Sequence, residues 1–309
     1  MPGIEQPAIR PDSASDAPAS PDLLVIMPAF NEALGIESTI ARVREILKDF
    51  PFSSEILVVD DGSTDGTGDR ATNAGVRVVT HAWNRGYGAA LKTGILATRA
   101  PAILIMDADC TYEPEAIPRL YARLHGASMV VGTRRLMSDG VTWIRKPGKW
   151  VLNTFASYLV GHHIPDLNSG QRVMKRNTVL RYMHLCPNGF SFTSTITLAM
   201  IANGHSVVFE PVDYVKRTGK SKIRASHFAK FILLIVRSMV LFNPLKVFLP
   251  LGALVFLAGV AKLIKDLYIW NLSESTVMAF LSALTIWAVG LLADMISRFQ
   301  MQPPYDPGS

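Results

Sequence analysis

Short apolar runs alternate with amphipathic stretches from residue 23 to about residue 214. The runs predicted to be buried β-strands are residues 23–27, 56–59, 76–79, 103–106, 129–131 and 207–209. Between the first two, Ile36, Ile40, Val43 and Leu47 repeat at the spacing of one helix face. Continuous apolar strands that alternate with helices predict an α/β fold, with a mostly parallel sheet covered by helices on both faces. Ligands bind such sheets outside the carboxyl ends of the strands, so the loops there are the expected place for a ligand site.

The pattern changes after residue 214. Residues 216–246 include eight Lys or Arg residues and no Asp or Glu, and apolar residues between Phe228 and Phe242 repeat on one helical face. This predicts a basic amphipathic helix on a membrane surface. Two apolar stretches follow: 247–261, which reaches spanning length when Leu245 and Ile264 are included, and 275–293, which spans unaided. They predict a transmembrane hairpin, with two buried core helices as the alternative.

The composition agrees with a membrane-associated protein that binds an acidic partner. Hydrophobic residues make up 49% of the 309 residues, and the formal net charge is +6. Nucleic acid, anionic lipid and phosphorylated substrates all satisfy this charge, but its concentration beside the apolar stretches favours lipid and phosphate. The predicted organisation is a disordered tail at 1–22, an α/β domain at 23–215, a basic juxtamembrane segment at 216–243, two membrane helices at 244–298 and a tail at 299–309.

Four loops that follow predicted strands contain most of the unusual residues, and they are 28–32, 60–67, 84–88 and 107–109. Most of them have an ordinary structural explanation. On that alternative, Pro28 would stop a strand, the Asp- and Gly-rich run 60–67 would form a capped turn, and the glycines of 84–88 would form a tight turn before a helix that begins near Ala89.

Asp107 and Asp109 differ from these, because two carboxylates one residue apart at the end of a buried strand repel each other unless a cation or a proton intervenes. A hard divalent cation such as Mg²⁺ or Mn²⁺ suits one or two carboxylates together with diphosphate oxygens. We therefore predict a metal site here. Thr111 is either a further ligand or a helix cap, and the cap is favoured since Pro114 follows at the spacing of a helix start.

Taken together, the runs at 28–32, 58–63, 84–94 and 107–109 resemble an inverting family 2 glycosyltransferase of the GT-A fold. The run Asp166-Leu167-Asn168-Ser169-Gly170 and the run at 219–222 resemble its polyprenyl-phosphate (dolichol-phosphate) hexosyltransferase branch. The resemblance extends from residue 23 to about residue 224, followed by a membrane hairpin of the kind this branch often carries.

The resemblance implies a binding site for a nucleotide-diphosphate sugar. Its base and ribose would contact residues of the first two loops, which are Pro28, Phe30, Glu32, Val59, Asp60 and Asp61. Its diphosphate and the metal would contact Asp107, Ala108 and Asp109, and Arg134 would reach phosphate. Thr111 stands where the branch often has Gln, which leaves the outer ligands of the metal open.

The resemblance also implies an acceptor site that faces the membrane. The residues assigned to the acceptor and its phosphate are Arg145, Lys146, Lys149, Ser169, Lys220 and Lys222. Asp166 would orient the acceptor loop or the sugar, and a purely structural role is the alternative. Asp107, Asp109, Asp166 and Arg134 are thus the expected catalytic residues.

The expected reaction is metal-dependent transfer of a hexose, with inversion, to polyprenyl phosphate. UDP-glucose is the favoured donor, with GDP-mannose and UDP-N-acetylglucosamine as alternatives. A glycosyltransferase that acts on another lipid or a polysaccharide remains possible, although Gln171 does not begin the Gln-x-x-Arg-Trp motif of processive synthases. Asp107-x-Asp109-x-Thr111 also fits haloacid-dehalogenase-type phosphatases, but that motif belongs on a first strand. A membrane scaffold that has kept the fold without activity is the non-enzymatic alternative.

The expected location is a membrane, with the α/β domain on the cytoplasmic face. The basic segment before the hairpin and Arg298 after it place both ends of the hairpin on that side. A bacterial inner membrane is favoured over the endoplasmic reticulum. The expected partners are a nucleotide-diphosphate sugar, polyprenyl phosphate and the membrane, without nucleic acid, and the chain is expected to form a dimer or tetramer.

Overall fold

The computed structural model describes residues 20–136, 157, 161, 163–214 and 243–301. The strands in these ranges are β1 (Leu23–Ala29), β2 (Ser54–Asp60), β3 (Arg77–Thr80), β4 (Ala102–Ile105), β5 (Met129–Leu136), β6 (Arg172–Lys175) and β7 (Val207–Tyr214). The helices are α1 (Ile36–Lys48), α2 (Thr67–Asn73), α3 (Tyr87–Leu96), α4 (Ile117–Arg123), α5 (Arg176–Tyr182), α6 (Phe192–Ala202), α7 (Leu245–Tyr268) and α8 (Glu274–Met301). Short 3₁₀ turns lie at Pro114–Ala116, Leu124–Gly126 and Met183–Leu185.

The strands form one sheet in the order β3-β2-β1-β4-β6-β5-β7. Neighbours in the first four strands run parallel, as do β5 and β7, whereas β6 runs antiparallel to both β4 and β5. The predicted mostly parallel sheet is therefore confirmed. The strand list missed β6 and placed β3 one residue early.

Helices cover both faces of the sheet, because the strands are apolar on both sides. In β1, Leu24 and Ile26 pack into a cluster with α3, α5 and α6, while Leu23, Val25 and Met27 pack into a second cluster with α1, α2 and α4. All seven residues of β1 are buried. This burial on both faces explains why the strands lack the alternation that a half-exposed sheet shows.

Helices α7 and α8 form an antiparallel hairpin in which aromatic rings fill the spaces left by glycines. A Cβ at Gly252 would overlap the ring of Trp287, and a Cβ at Gly290 would lie 2.5 Å from Cβ of Phe248. The Trp287 indole N–H also donates to the carbonyl of Leu249 at 3.2 Å. Close approach at small residues is typical of helices that pair in a membrane.

Both helices of the hairpin are long and apolar enough to cross a membrane, and most of their surface is uncovered by the rest of the described chain. Helix α7 begins at Leu245, as the extended form of the first predicted span required, and it continues to Tyr268. The predicted amphipathic helix lies within 216–243, and of this segment only residue 243 is described.

Candidate active site

The four predicted loops meet at one edge of the sheet. Strands β2, β1 and β4 are neighbours and parallel, so the loops that follow them lie side by side. Helix α3, which follows the third loop at 84–88, packs on β1 and β2 and begins at Tyr87, two residues earlier than predicted. The sequence thus predicted correctly which loops the fold brings together.

The loops after β1 and β2 are joined by hydrogen bonds from backbone to side chain. The backbone N–H groups of residues 31, 32 and 33 donate to Ser63 Oγ at 3.0 Å, Thr67 Oγ1 at 2.9 Å and Asp65 Oδ2 at 3.0 Å. Asn31 adopts a positive φ of 55° and accepts the Thr64 N–H at 3.0 Å. The Ser-Thr-Asp run therefore fixes the shape of the cleft in which the donor base is predicted to bind.

Among the predicted donor residues, Pro28 and Val59 pair with each other one residue before β1 and β2 end, so Pro28 does not stop the strand, and Phe30 is 45% exposed. The carboxylate of Asp60 accepts the Ser63 N–H at 3.0 Å, and it lies where a Cβ on Gly68 would be, at 2.6 Å. Their contacts with a donor stay predictions.

Asp61 binds other parts of the protein. Its carboxylate accepts the N–H groups of Arg85 at 2.9 Å and Gly86 at 2.7 Å, and it lies 2.6 Å from Nδ1 of His81. The other ring nitrogen of His81 lies 2.9 Å from the Thr93 hydroxyl. Asp61 thus anchors the start of α3, and its predicted contact with the donor stays a prediction.

Asp107 accepts a hydrogen bond from a tyrosine. The Tyr87 hydroxyl donates to Asp107 Oδ1 at 3.0 Å. Burial, and after it the charge of Asp109, raises the pKa of Asp107 to about 6. The role of the two carboxylates as metal ligands stays a prediction.

Thr111 does not cap a helix, so this prediction was wrong. Its backbone N–H and hydroxyl both donate to Asp109 Oδ1, at 3.2 and 2.5 Å, and the residue that precedes the following 3₁₀ turn is Glu113. The chain bends back at Cys110, where φ is 59°. The Thr111 hydroxyl therefore reaches Asp109 and orients its carboxylate.

A tyrosine joins the Asp107 loop to the loop 166–170. The Gly170 N–H donates to the Tyr112 hydroxyl at 2.6 Å, and a Cβ on Gly170 would lie 2.8 Å from Cγ of Asp107. Tyr112 is almost fully buried; burial and the charge of Asp107 raise its pKa to about 12. Ser169 is fully buried, so its predicted contact with an acceptor requires movement of this loop.

Arg134 and Asp166 form a two-pronged ion pair. Nε and Nη2 of Arg134 donate to the two carboxylate oxygens at 2.7 and 2.8 Å, and the guanidinium lies 5.5 Å above the ring of Tyr214. Burial lowers the pKa of Arg134, but the hydrogen bond to Asp166 outweighs it, so the pKa is raised above its usual value. Both residues were predicted to be catalytic, and the structure places them against each other.

Unlike Arg134, a second arginine near the site, Arg172, is fully buried. Arg172 donates through Nη1 to the Thr193 carbonyl and the Thr197 hydroxyl, each at 2.8 Å, and burial lowers its pKa. Its Nε has no hydrogen-bond partner among the described residues. It pairs in the sheet with Ile105, so a positive charge lies under the loop that contains Asp107.

Four residues of the site were not predicted: His81, Tyr87, Tyr112 and Arg172. Tyr87 lies inside one of the quoted loops and Arg172 follows another, but nothing in the pattern distinguished these side chains. The predicted acceptor residues Arg145, Lys146, Lys149, Lys220 and Lys222 lie outside the described residues, so their roles stay predictions.

The fold and site define a nucleotide-sugar-transferase-like α/β domain followed by a membrane hairpin. Residues 24–182 match the model of "Glycosyl transferase family 2", and residues 243–299 match "GtrB C-terminal hairpin". The chain belongs to glycosyl transferase family 2 and is a glycosyltransferase.

Several curated relatives cover most of the chain. It is 31% identical over 244 residues to a polyprenol monophosphomannose synthase of Mycolicibacterium smegmatis, which is 74% of this chain and 90% of that protein. It is 29% identical over 230 residues to an undecaprenyl-phosphate mannosyltransferase of Micrococcus luteus, 70% and 93% of the two chains. A dodecaprenyl-phosphate galacturonate synthase of Rhizobium johnstonii is 26% identical over 316 residues, 95% and 93%.

Solved structures show the same fold. Glucosyl-3-phosphoglycerate synthase from Mycobacterium tuberculosis superposes with a TM-score of 0.59 at 20% identity, over 72% of this chain and 81% of that one. Another crystal structure of that enzyme contains Mn²⁺, UDP and glucosyl-3-phosphoglycerate. The predicted GT-A fold is confirmed.

Proposed function

We propose that this protein transfers a hexose from a nucleotide-diphosphate sugar to polyprenyl phosphate. The observation that carries the proposal is the pair Asp107 and Asp109, both partly buried, at the ligand-binding edge of a family 2 domain that continues into a membrane hairpin. The relatives named above, which act on undecaprenyl phosphate, polyprenol phosphate and dodecaprenyl phosphate, support the acceptor class. A membrane hairpin would hold the catalytic domain close to an acceptor that lies in the membrane.

The sequence favours UDP-glucose as the donor, whereas the names of two relatives favour a mannosyl donor. GDP-mannose therefore belongs beside UDP-glucose and UDP-N-acetylglucosamine in the first assay. The loops that would select the base are fixed by the Ser63, Asp65 and Thr67 contacts, so one nucleotide is expected to be strongly preferred.

Asp107 and Asp109 fit a divalent metal. Within the described residues, no group of three or more His, Cys, Asp or Glu side chains is placed to hold an ion. A pair of carboxylates suits Mg²⁺ or Mn²⁺, which bind through one or two carboxylates and complete their shell with water and substrate phosphates. Such an ion, when bound, neutralises charge on the departing nucleoside diphosphate.

The chain's own residues have to bring two polyanions together. A phosphate monoester has a second pKa of about 6, so near neutral pH the acceptor is largely a dianion that attacks the anomeric carbon without a strong base. Attack from the side opposite the diphosphate inverts that carbon. Arg134, fixed by Asp166, and the buried charge of Arg172 lower the repulsion between the two substrates.

The proposed location is a bacterial inner membrane, with the family 2 domain on the cytoplasmic side. Helices α7 and α8 cross the membrane as a hairpin, which returns the chain to the side on which it entered. The Lys and Arg residues at 216–246 favour the cytoplasmic side for both ends. The predicted dimer or tetramer stays a prediction, which light scattering of the protein in detergent would check.

The experiment is transfer from a panel of radiolabelled donors to undecaprenyl or dolichyl phosphate in detergent, with Mg²⁺ or Mn²⁺ and with EDTA. We expect one donor to yield a lipid-linked sugar, only in the presence of metal. Asp107→Asn and Asp109→Asn should abolish the product, while Asp49→Asn, an exposed acid after α1, should retain it. Label on another lipid or a glycan, with none on polyprenyl phosphate, would overturn the acceptor assignment.

A further inference from the structure

An aromatic pair extends from the carboxylate of Asp107 to the protein surface. The Tyr87 hydroxyl binds Asp107, and the ring of Phe190 stacks on the ring of Tyr87, with centroids 5.7 Å apart and planes at 16°. Phe190 is 86% exposed. A large apolar side chain thus lies in solvent one ring away from the proposed diphosphate site.

The loop that presents Phe190 is held against the start of α3. The Asn188 carbonyl accepts the Ala89 N–H at 3.1 Å, and the Asn188 amide oxygen accepts Lys92 Nζ at 3.0 Å. A Cβ at Gly86 would lie 2.5 Å from the Asn188 carbonyl oxygen, so the two segments are in direct backbone contact. The exposure of Phe190 therefore belongs to a fixed arrangement and is not the result of a loose loop.

We propose that Phe190, stacked on Tyr87, binds the first isoprene unit of the polyprenyl acceptor. This inference rests on the proposed function. In polyprenyl phosphate the attacking phosphate is bonded directly to the isoprenoid chain. When that phosphate attacks the anomeric carbon from the side opposite the diphosphate, the first isoprene unit is separated from it by one ester oxygen and must lie beside the donor sugar, near the Asp107 loop.

The polar groups around Phe190 favour a prenyl group over a hexose. A hexose presents a hydroxyl at nearly every carbon and needs hydrogen-bond partners beside an aromatic face. Here both oxygens of Asn188 are used by α3, and the Tyr87 hydroxyl is used by Asp107. These three oxygens thus already have partners, and the Phe190 ring beside them is an exposed apolar surface, which suits a hydrocarbon.

The test compares the kinetics of Phe190→Ser and Phe190→Leu in the full-length protein in detergent. We expect Phe190→Ser to raise KM for prenyl phosphate about tenfold, the lower end of the effect of burying a phenylalanine side chain. KM for the donor should not change. In Phe190→Leu, KM for prenyl phosphate should return most of the way to the wild-type value. Leu96→Ser, which changes an exposed apolar residue at the end of α3, is the matched control.

Acceptors of different length distinguish a contact with the first isoprene unit from a contact with the rest of the lipid. Phe190→Ser should raise KM by the same factor for prenyl phosphates with two and with eleven isoprene units. A rise in KM for the donor would instead assign Phe190 to the hexose, and an unchanged KM for both substrates would show that it binds neither. If wild-type protein transfers no sugar to any prenyl phosphate, the proposed function fails, and this inference fails with it.

Discussion

Replacing Gly170 with alanine would place a methyl group against the carboxylate of Asp107. The new Cβ would overlap Oδ2 of Asp107 and would lie 2.8 Å from Cγ and 2.9 Å from Oδ1, where ordinary contacts begin at 3.4 Å. The carboxylate or the loop must therefore move by at least about 0.6 Å, since a packed interior has no spare room. Gly170 does not have a positive φ, so alanine is compatible with the backbone itself.

Neither partner is free to move. Asp107 is bound by the Tyr87 hydroxyl, and the Gly170 N–H is bound by Tyr112. We expect the overlap to cost about 1–3 kcal/mol of folding free energy, as overpacking usually does, so the protein still folds. The effect on activity should be larger in proportion, because displacing a reacting group by about 1 Å costs up to about 100-fold. We predict a 10- to 100-fold loss of kcat/KM, roughly the cost of such a displacement.

The assay is transfer of labelled sugar to polyprenyl phosphate, with thermal unfolding measured on the same preparations. Gly126→Ala is the matched control, because a Cβ there has no atom within 4 Å and its φ is not positive. If Gly170→Ala and Gly126→Ala have equal activity, Gly170 does not fix Asp107 and the reasoning is refuted. If both are inactive, the assay or the fold is at fault and the contact is not the cause.

Three further predictions concern other contacts of the domain. Tyr112→Phe leaves the buried Gly170 N–H without its acceptor, which costs about 1–3 kcal/mol. The value of kcat should fall at least severalfold. The control Tyr182→Phe, remote from the site, should lower only the melting temperature. Arg134→Lys keeps the charge but loses the two-pronged contact with Asp166. Displaced groups cost up to about 100-fold, so transfer should fall by up to that factor with lower stability, and wild-type activity would contradict this. Burial raises the pKa of Cys186 to about 12, so iodoacetamide at pH 8 should leave this thiol unlabelled in the folded protein, and mass spectrometry would detect the contrary.

The sequence was sufficient for most of the fold because burial on both faces of the sheet leaves uninterrupted apolar runs. It was insufficient for β6, in which only Val173 and Met174 are apolar and Arg172 and Lys175 form the ends. Arg172 is fully buried there and binds two threonine residues of α6, which a sequence pattern does not reveal. Such a strand is defined by its neighbours in the sheet and not by its own composition.

The residues of the site likewise fall into those that the sequence predicted and those that it did not. Asp107 and Asp109 were predicted because two carboxylates next to each other in the chain are themselves a chemical signal. Tyr87 was not, because its partner Asp107 is 20 residues away, and Tyr112 was not, because its partner Gly170 is 58 residues away. A buried tyrosine without a known partner resembles any other core residue, so these contacts became visible only when the chain was folded.

The reversed direction of β6 explains how donor and acceptor residues meet. In a fully parallel sheet, the loop that precedes a strand lies at the edge opposite the carboxyl ends. Because β6 is antiparallel to β4 and β5, the loop 166–170 that leads into it lies at the same edge as Asp107, which follows β4, and as Arg134 near the end of β5. One strand reversal thus brings Gly170 against Asp107 and Asp166 against Arg134. The residues predicted to bind the donor and those predicted to orient the acceptor are therefore held by one set of contacts, and a change in either loop should affect the use of both substrates.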